Sequence, residues 1–228
     1  MVAFNVLLIR KEISMRFKSV FALLVFCFLV GSMTALFAQT KPAKHFKIVT
    51  RKEWGWKPPT FTLPEHQIKR ITIHHSGVIF KQDEDVVKYL RHLQEWSRTE
   101  KHWMDIPYHY MIAPNGTIYE ARPLKYPGDT NTTYNPRGHA LICVLGNFEI
   151  QTPTKDQLEA LAWLGAKLAL EYHVPLDSIK SHKDYAETLC PGKNLYRYLQ
   201  DGSLQKKIKY YENLISNRTS APVQSKQE

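Results

Sequence analysis

Leu141-Ile-Cys-Val-Leu145 is an unbroken apolar run set between turn-forming residues, and it constrains the fold more than any other stretch. A run this short, with no polar alternation, is the pattern of a strand buried within a sheet. Ile71-Thr-Ile-His-His75 predicts a second strand, β-branched and bounded by Ser76-Gly77. Residues 108–113 and 117–121 read as a strand pair joined at Pro114-Asn115-Gly116, because Asn-Gly is the strongest short hairpin signal. Residues 179–182 give one more short strand. Helical patterns lie between these strands. Residues 83–102 bring Val86, Val87, Leu90, Leu93 and Trp96 near one face. Thr154-Lys-Asp-Gln157 is a capping box; it opens a helix with Leu158, Leu161, Leu164 and Leu168 inward, ending near His173 before Pro175. A last helix covers residues 194–215. Strands interleaved with three long helices predict an α/β fold, a single mixed central sheet flanked by about three helices.

The N-terminus follows a different logic. Met15-Arg-Phe-Lys18 is basic, Val20 to Val30 is apolar, and small and apolar residues lead to Ala38-Gln39. That succession predicts a secretory signal over residues 1–38, for which Met15 is a better start than Met1. Left uncleaved, Val20 to Ala38 is long enough to anchor the chain in a bilayer. Residues 39–47 read as a polar linker, 48–215 as the folded domain and 216–228 as a polar, disordered tail. Residues 1–38 carry four basic residues and one acidic one, so their removal lowers the net charge of +10 by three. The chain is then still basic and drawn to acidic glycan or envelope polymers. Nucleic acid is not the expected partner, since the positive charges are scattered and an exported protein rarely meets it. An exported monomer is expected, periplasmic, extracellular or at the cell envelope. Cys143 lies in a buried strand and Cys190 in a Thr-Leu-Cys-Pro-Gly turn, contexts that argue against a disulfide between them.

Most of the ten histidines read as ordinary structural residues. Three positions stand apart together. His74 ends a strand at a Ser-Gly turn, His182 ends another, and Cys190 follows in a turn stiffened by Pro191. Two neutral imidazoles and one thiolate suit Zn2+, and three protein ligands leave a fourth position for water. The His-x7-Cys spacing is not that of a zinc finger and does not single out the set by itself. HExxH, the helix signature of many zinc proteases, is absent, which weakens that class.

Five segments, in order, resemble one family: IVTRKEWGW (48–56), ITIHHSG (71–77), LRHLQEWSRTEKHWMDIPYHYMIAPNGTIYEARP (90–123), YNPRGHALICVLGNF (134–148) and SHKDYAETLCPG (181–192). Residues 48–200 thereby resemble the peptidoglycan recognition protein and phage-type N-acetylmuramoyl-L-alanine amidase family. The resemblance implies a zinc site at the sheet edge, in a groove, held by His74, His182 and Cys190. It implies hydrolysis of the amide between the muramyl lactyl group and L-alanine, with peptidoglycan or muropeptides as partners. Tyr108 matches the family's catalytic Tyr, and Thr188 matches a position facing the scissile group; both are expected to donate hydrogen bonds to the developing oxyanion. His75 is expected to be structural, pointing to the face opposite His74. Family members that only bind peptidoglycan usually lack the Cys ligand, so Cys190 speaks against the alternative of a non-catalytic recognition module. Glu120 and Glu149 are the carboxylates nearest the motifs and read as surface residues.

The chain also departs from the family. Thr130 stands where many relatives carry His, and His139 where a small residue is usual. Both belong to loop 122–139, whose length marks it as functional and which is expected to line the groove. Among Trp54, Trp56, Trp103 and Tyr134, only Tyr134 is expected to face substrate.

Overall fold

Six strands assemble into one sheet: β1 (Ile48–Val49), β2 (Arg70–His75), β3 (Tyr110–Ile112), β4 (Ile118–Glu120), β5 (His139–Val144) and β6 (Ile179–Ser181). These lie in a computed structural model that describes residues 46–219. The expected signal at 1–38, most of the linker and residues 220–228 lie outside the described residues. The strand order is β1-β4-β3-β5-β2-β6. Only β3 and β4 run antiparallel, through the predicted Asn115-Gly116 turn; every other neighbouring pair is parallel. Gly116 has φ +80°, and a Cβ there would meet the Asp156 carbonyl oxygen at 2.9 Å, so the turn needs glycine for both conformation and space. The sheet is mixed, as expected.

Five α-helices complete the described chain: α1 (Arg51–Trp54), α2 (Val86–Thr99), α3 (Lys155–Tyr172), α4 (Lys193–Gln200) and α5 (Ser203–Thr219). The capping box at Thr154 and Gln157 forms at the start of α3. Helix α2 is shorter than its apolar periodicity suggested. Asp85 acts as its N-cap, accepting the Lys88 N–H, and His102 at φ +55° turns the chain away beyond its end. The predicted last helix is two helices, broken at Asp201-Gly202 where Gly202 takes φ +71°, and it continues four residues past Ile215 to Thr219. Among the described residues, no helix is long and apolar enough to cross a membrane.

The period-2 geometry of the strands divides the core. Ile71, Ile73, Ile112, Ile142 and Val144 face a cluster that includes Leu161, Leu164 and Leu168 of α3 and Ile208 of α5. Met111 and Cys143 face the other way, against Leu90 of α2, Trp54 and Ile106. Each fully buried Ile or Leu contributes about 1.5–3 kcal/mol relative to an exposed one. Thr72 and His74 alternate with Ile71 and Ile73, so they occupy the α2 side of the sheet. His74 sits in register with Cys143 at the C-terminal end of β2.

Candidate metal centre and its cavity

In sheets with parallel strands, ligand sites form outside the carboxyl ends of the strands. The three candidate ligands converge at that end. His74 lies near the end of β2. His182 is not the last residue of a strand, as expected, but the first of a 3-10 turn after β6. That turn is held by Asp184, whose carboxylate accepts both the N–H and the hydroxyl of Ser181 at 2.7 Å. Cys190 is carried by a turn in which the Gly192 N–H bonds the Leu189 carbonyl at 2.7 Å. Gly192 has φ +87°, and a Cβ there would lie 2.4 Å from the Phe148 carbonyl carbon, so glycine lets the Cys190 turn press against the segment leaving β5.

One donor atom from each of His74, His182 and Cys190 lies within 4.8 Å of the others. The Cys190 Sγ is 3.6 Å from His74 Nδ1 and 3.4 Å from the His75 backbone N–H. Burial holds both imidazoles neutral: His74 falls well below the usual His range, helped by His182 close by, and His182 falls to about 4. Neutral imidazoles present free lone pairs at pH 7. Burial also pushes the Cys190 thiol up to about 12, so a thiolate there calls for a nearby cation. A mixed nitrogen and sulfur set with these properties fits zinc. Cys143, the other free cysteine among the described residues, is wholly buried, and that burial raises its thiol well above the usual range. The side chains confirm the opposite facing of His75: its Nδ1 accepts the Phe148 N–H at 3.2 Å, within the α3-side core.

The cluster forms part of the wall of an open cavity. Tyr108 and Thr188 line the same cavity. Tyr108 precedes β3 instead of lying in it, and its ring centroid is 5.1 Å from that of His74. Burial raises its phenol well above 10, so the hydroxyl keeps its proton. The Thr188 hydroxyl accepts the Cys190 N–H at 3.2 Å, which leaves its own hydrogen available to donate. Tyr134, expected to face substrate, lies against the cluster, its ring centroid 5.1 Å from that of His182. It stacks on Tyr185 at 5.6 Å, and its hydroxyl lies 3.3 Å from His74 Nε2. Trp103 does line the cavity, edge-on to Trp96 at 6.2 Å with the Lys101 ammonium over both rings. Trp54 is core, as expected.

The loop expected to line the groove does so through residues 129–132. Among the described residues Asp129 is the one carboxylate on the cavity wall; Glu120 instead pairs with Arg51, and Glu149 accepts the Lys193 N–H. Thr132 Oγ1 lies 2.7 Å from His182 Nε2, with Thr130 Oγ1 at 3.4 Å. Neither Asp129 nor Thr132 has a sequence signal of its own; only the length of the loop pointed to the region. His139 fits its unusual place because the Thr72 hydroxyl meets its Nδ1 at 2.7 Å and Tyr185 packs edge-on at 4.8 Å.

Comparison with known proteins identifies the family. The family described as N-acetylmuramoyl-L-alanine amidase matches residues 64–193. Peptidoglycan-recognition protein SD of Drosophila simulans is 30% identical over 181 residues, covering 75% of this chain and 92% of that protein. The crystal structure of Drosophila peptidoglycan recognition protein SD superposes with a TM-score of 0.62 at 30% identity, covering 68% of this chain and 94% of that one. Peptidoglycan recognition protein LE, solved in complex with tracheal cytotoxin (monomeric diaminopimelic acid-type peptidoglycan), superposes with a TM-score of 0.61 at 26% identity, covering 68% and 92%. By the matched domain, the shared fold and the extent of the likeness, the chain belongs to the peptidoglycan recognition protein and N-acetylmuramoyl-L-alanine amidase family.

Proposed function

We propose that this protein is a zinc-dependent N-acetylmuramoyl-L-alanine amidase, exported by its N-terminal segment, that cuts peptidoglycan between the muramyl lactyl group and L-alanine. The observation that carries the reading is the convergence of His74, His182 and Cys190 donor atoms within 4.8 Å on the wall of the cavity. Zinc bound there supplies a Lewis acid for the scissile carbonyl and activates water for attack. The rest of the chemistry belongs to the chain. Tyr108 and Thr188 offer hydroxyl hydrogens toward the same space, where charge builds on the carbonyl oxygen as the amide is attacked. Trp96 and Trp103 give that space an apolar, aromatic wall suited to the faces of a sugar or peptide.

A second reading, binding without cleavage, is favoured by the relatives named as recognition proteins and by the neighbour solved with a muropeptide. The variant Cys190→Ser separates the two. A neutral hydroxyl is a poor zinc ligand, so the metal should be lost and release of L-alanine amino termini should stop. The groove walls do not include this thiol alone, so capture on insoluble peptidoglycan should persist. A melting curve on each protein shows whether loss of metal has also unfolded it. A folded Cys190→Ser protein that cleaves at the wild-type rate removes Cys190 from the centre and overturns the zinc amidase reading.

A further inference from the structure

We propose that Thr132 is a positioning residue for the metal centre: its hydroxyl fixes the tautomer and orientation of His182 so that Nδ1 is the nitrogen offered to the cluster. The proposal rests on reading His74, His182 and Cys190 as a zinc set. A ligating imidazole is normally oriented by a hydrogen bond from its other ring nitrogen. His182 Nε2 is engaged by Thr132 Oγ1 at 2.7 Å. The Thr130 and Thr132 hydroxyls are 2.8 Å apart, and Thr130 Oγ1 also accepts the Thr132 backbone N–H at 3.1 Å. Thr130 Oγ1 is thus placed to take the Thr132 hydroxyl hydrogen as well, the arrangement in which the Thr132 oxygen accepts His182 Nε2–H. With that hydrogen directed outward, the lone pair sits on Nδ1.

The partner ligand is treated in the same way. The Tyr134 hydroxyl reaches His74 Nε2 at 3.3 Å, while His74 Nδ1 faces the Cys190 Sγ at 3.6 Å. Both imidazoles are thus held from one short stretch, Thr132 to Tyr134. That stretch is tethered. Arg122 is fully buried; its Nε donates to the Ile106 carbonyl at 2.8 Å, its Nη2 to the Asp105 carbonyl at 2.7 Å, and its guanidinium pairs with the Asp129 carboxylate, one residue before Thr130. A buried guanidinium with its donors satisfied is costly to displace, so the loop carries the two hydroxyls as a fixed clamp.

Two measurements test the clamp. In metal-free wild-type protein labelled with 15N-histidine, two-dimensional NMR should show His182 as the Nε2–H tautomer, and Thr132→Val should lose that preference. Competition with a chromophoric chelator should show zinc bound 10- to 100-fold more weakly by Thr132→Val, about the usual effect of removing such a partner, with Thr132→Ser restoring wild-type affinity. An Nδ1–H tautomer in the wild type, or unchanged zinc affinity in Thr132→Val, overturns the proposal. A wild-type protein that binds no zinc defeats the zinc reading itself, and the tautomer measurement, made without metal, still decides the role of Thr132.

Discussion

Burial keeps the Tyr108 phenol protonated, and the residue lines the cavity with its ring beside His74. Tyr108→Phe keeps the ring and its packing and loses only this donor. Peptidoglycan hydrolysis by that variant should slow by about 10²-fold, the usual loss for one oxyanion donor, while zinc content and melting temperature hold. A wild-type rate would remove Tyr108 from the chemistry. His109, next in sequence, does purely structural work. Its Nδ1 accepts the Leu141 N–H at 2.8 Å, and its Nε2 donates to the Tyr126 carbonyl at 2.9 Å. Burial lowers this imidazole to about 3, against about 6.5 when unfolded. Because the folded value is depressed, the unfolded chain binds the extra proton between those limits. The contribution is complete above pH 6.5 and falls by about 1.4 kcal/mol per pH unit as the pH drops toward 3. His109→Asn retains an acceptor for Leu141 without titrating, so its stability should fall less steeply than that of wild type between pH 6.5 and 4. Equal slopes in parallel denaturation series would contradict this account.

Elements with local signals were legible in the sequence, and those set by distant partners were not. The capping box of α3 and the Asn115-Gly116 turn depend on residues within four positions of one another, and both formed where expected. Asp83 gave no sign that Asp85, two residues later, would be the cap of α2, because either aspartate suits that place. The break between α4 and α5 falls at Asp201-Gly202, a turn signal inside a span that reads as one helix. Loop 122–139 is the clearest case. Its length and composition marked it as functional, yet the side chain that anchors it, Arg122, reads in sequence as an ordinary surface charge. Arg122→Met fills a similar volume but strands the Asp129 carboxylate and the carbonyls of Asp105 and Ile106. Breaking one side of a buried pair costs about 3–5 kcal/mol, and the partial exposure of Asp129 places this case toward the lower end. Melting should therefore fall by several degrees, and zinc binding should weaken with it; unchanged melting would show that the loop is held by other means.

At the scale of the whole molecule, the sheet and helices place three donors from distant parts of the sequence at one end of parallel strands. The His-x7-Cys spacing could not announce this by itself, because His74 is 116 residues from Cys190 and only the fold joins them. Resemblance of five collinear segments supplied that long-range information. It did not foresee that the Tyr134 hydroxyl would meet His74 Nε2, since a loop side chain's direction depends on partners such as Tyr185. The central claim is tested most directly by digesting defined peptidoglycan sacculi with the purified protein and analysing the muropeptides by mass spectrometry. The digestion is run as purified, after chelation, and after zinc is restored. The account predicts free L-alanine amino termini and lactyl-ended glycans, lost on chelation and regained with zinc. Intact lactyl–alanine bonds in the presence of zinc-loaded protein, or cleavage that survives complete removal of metal, would contradict it.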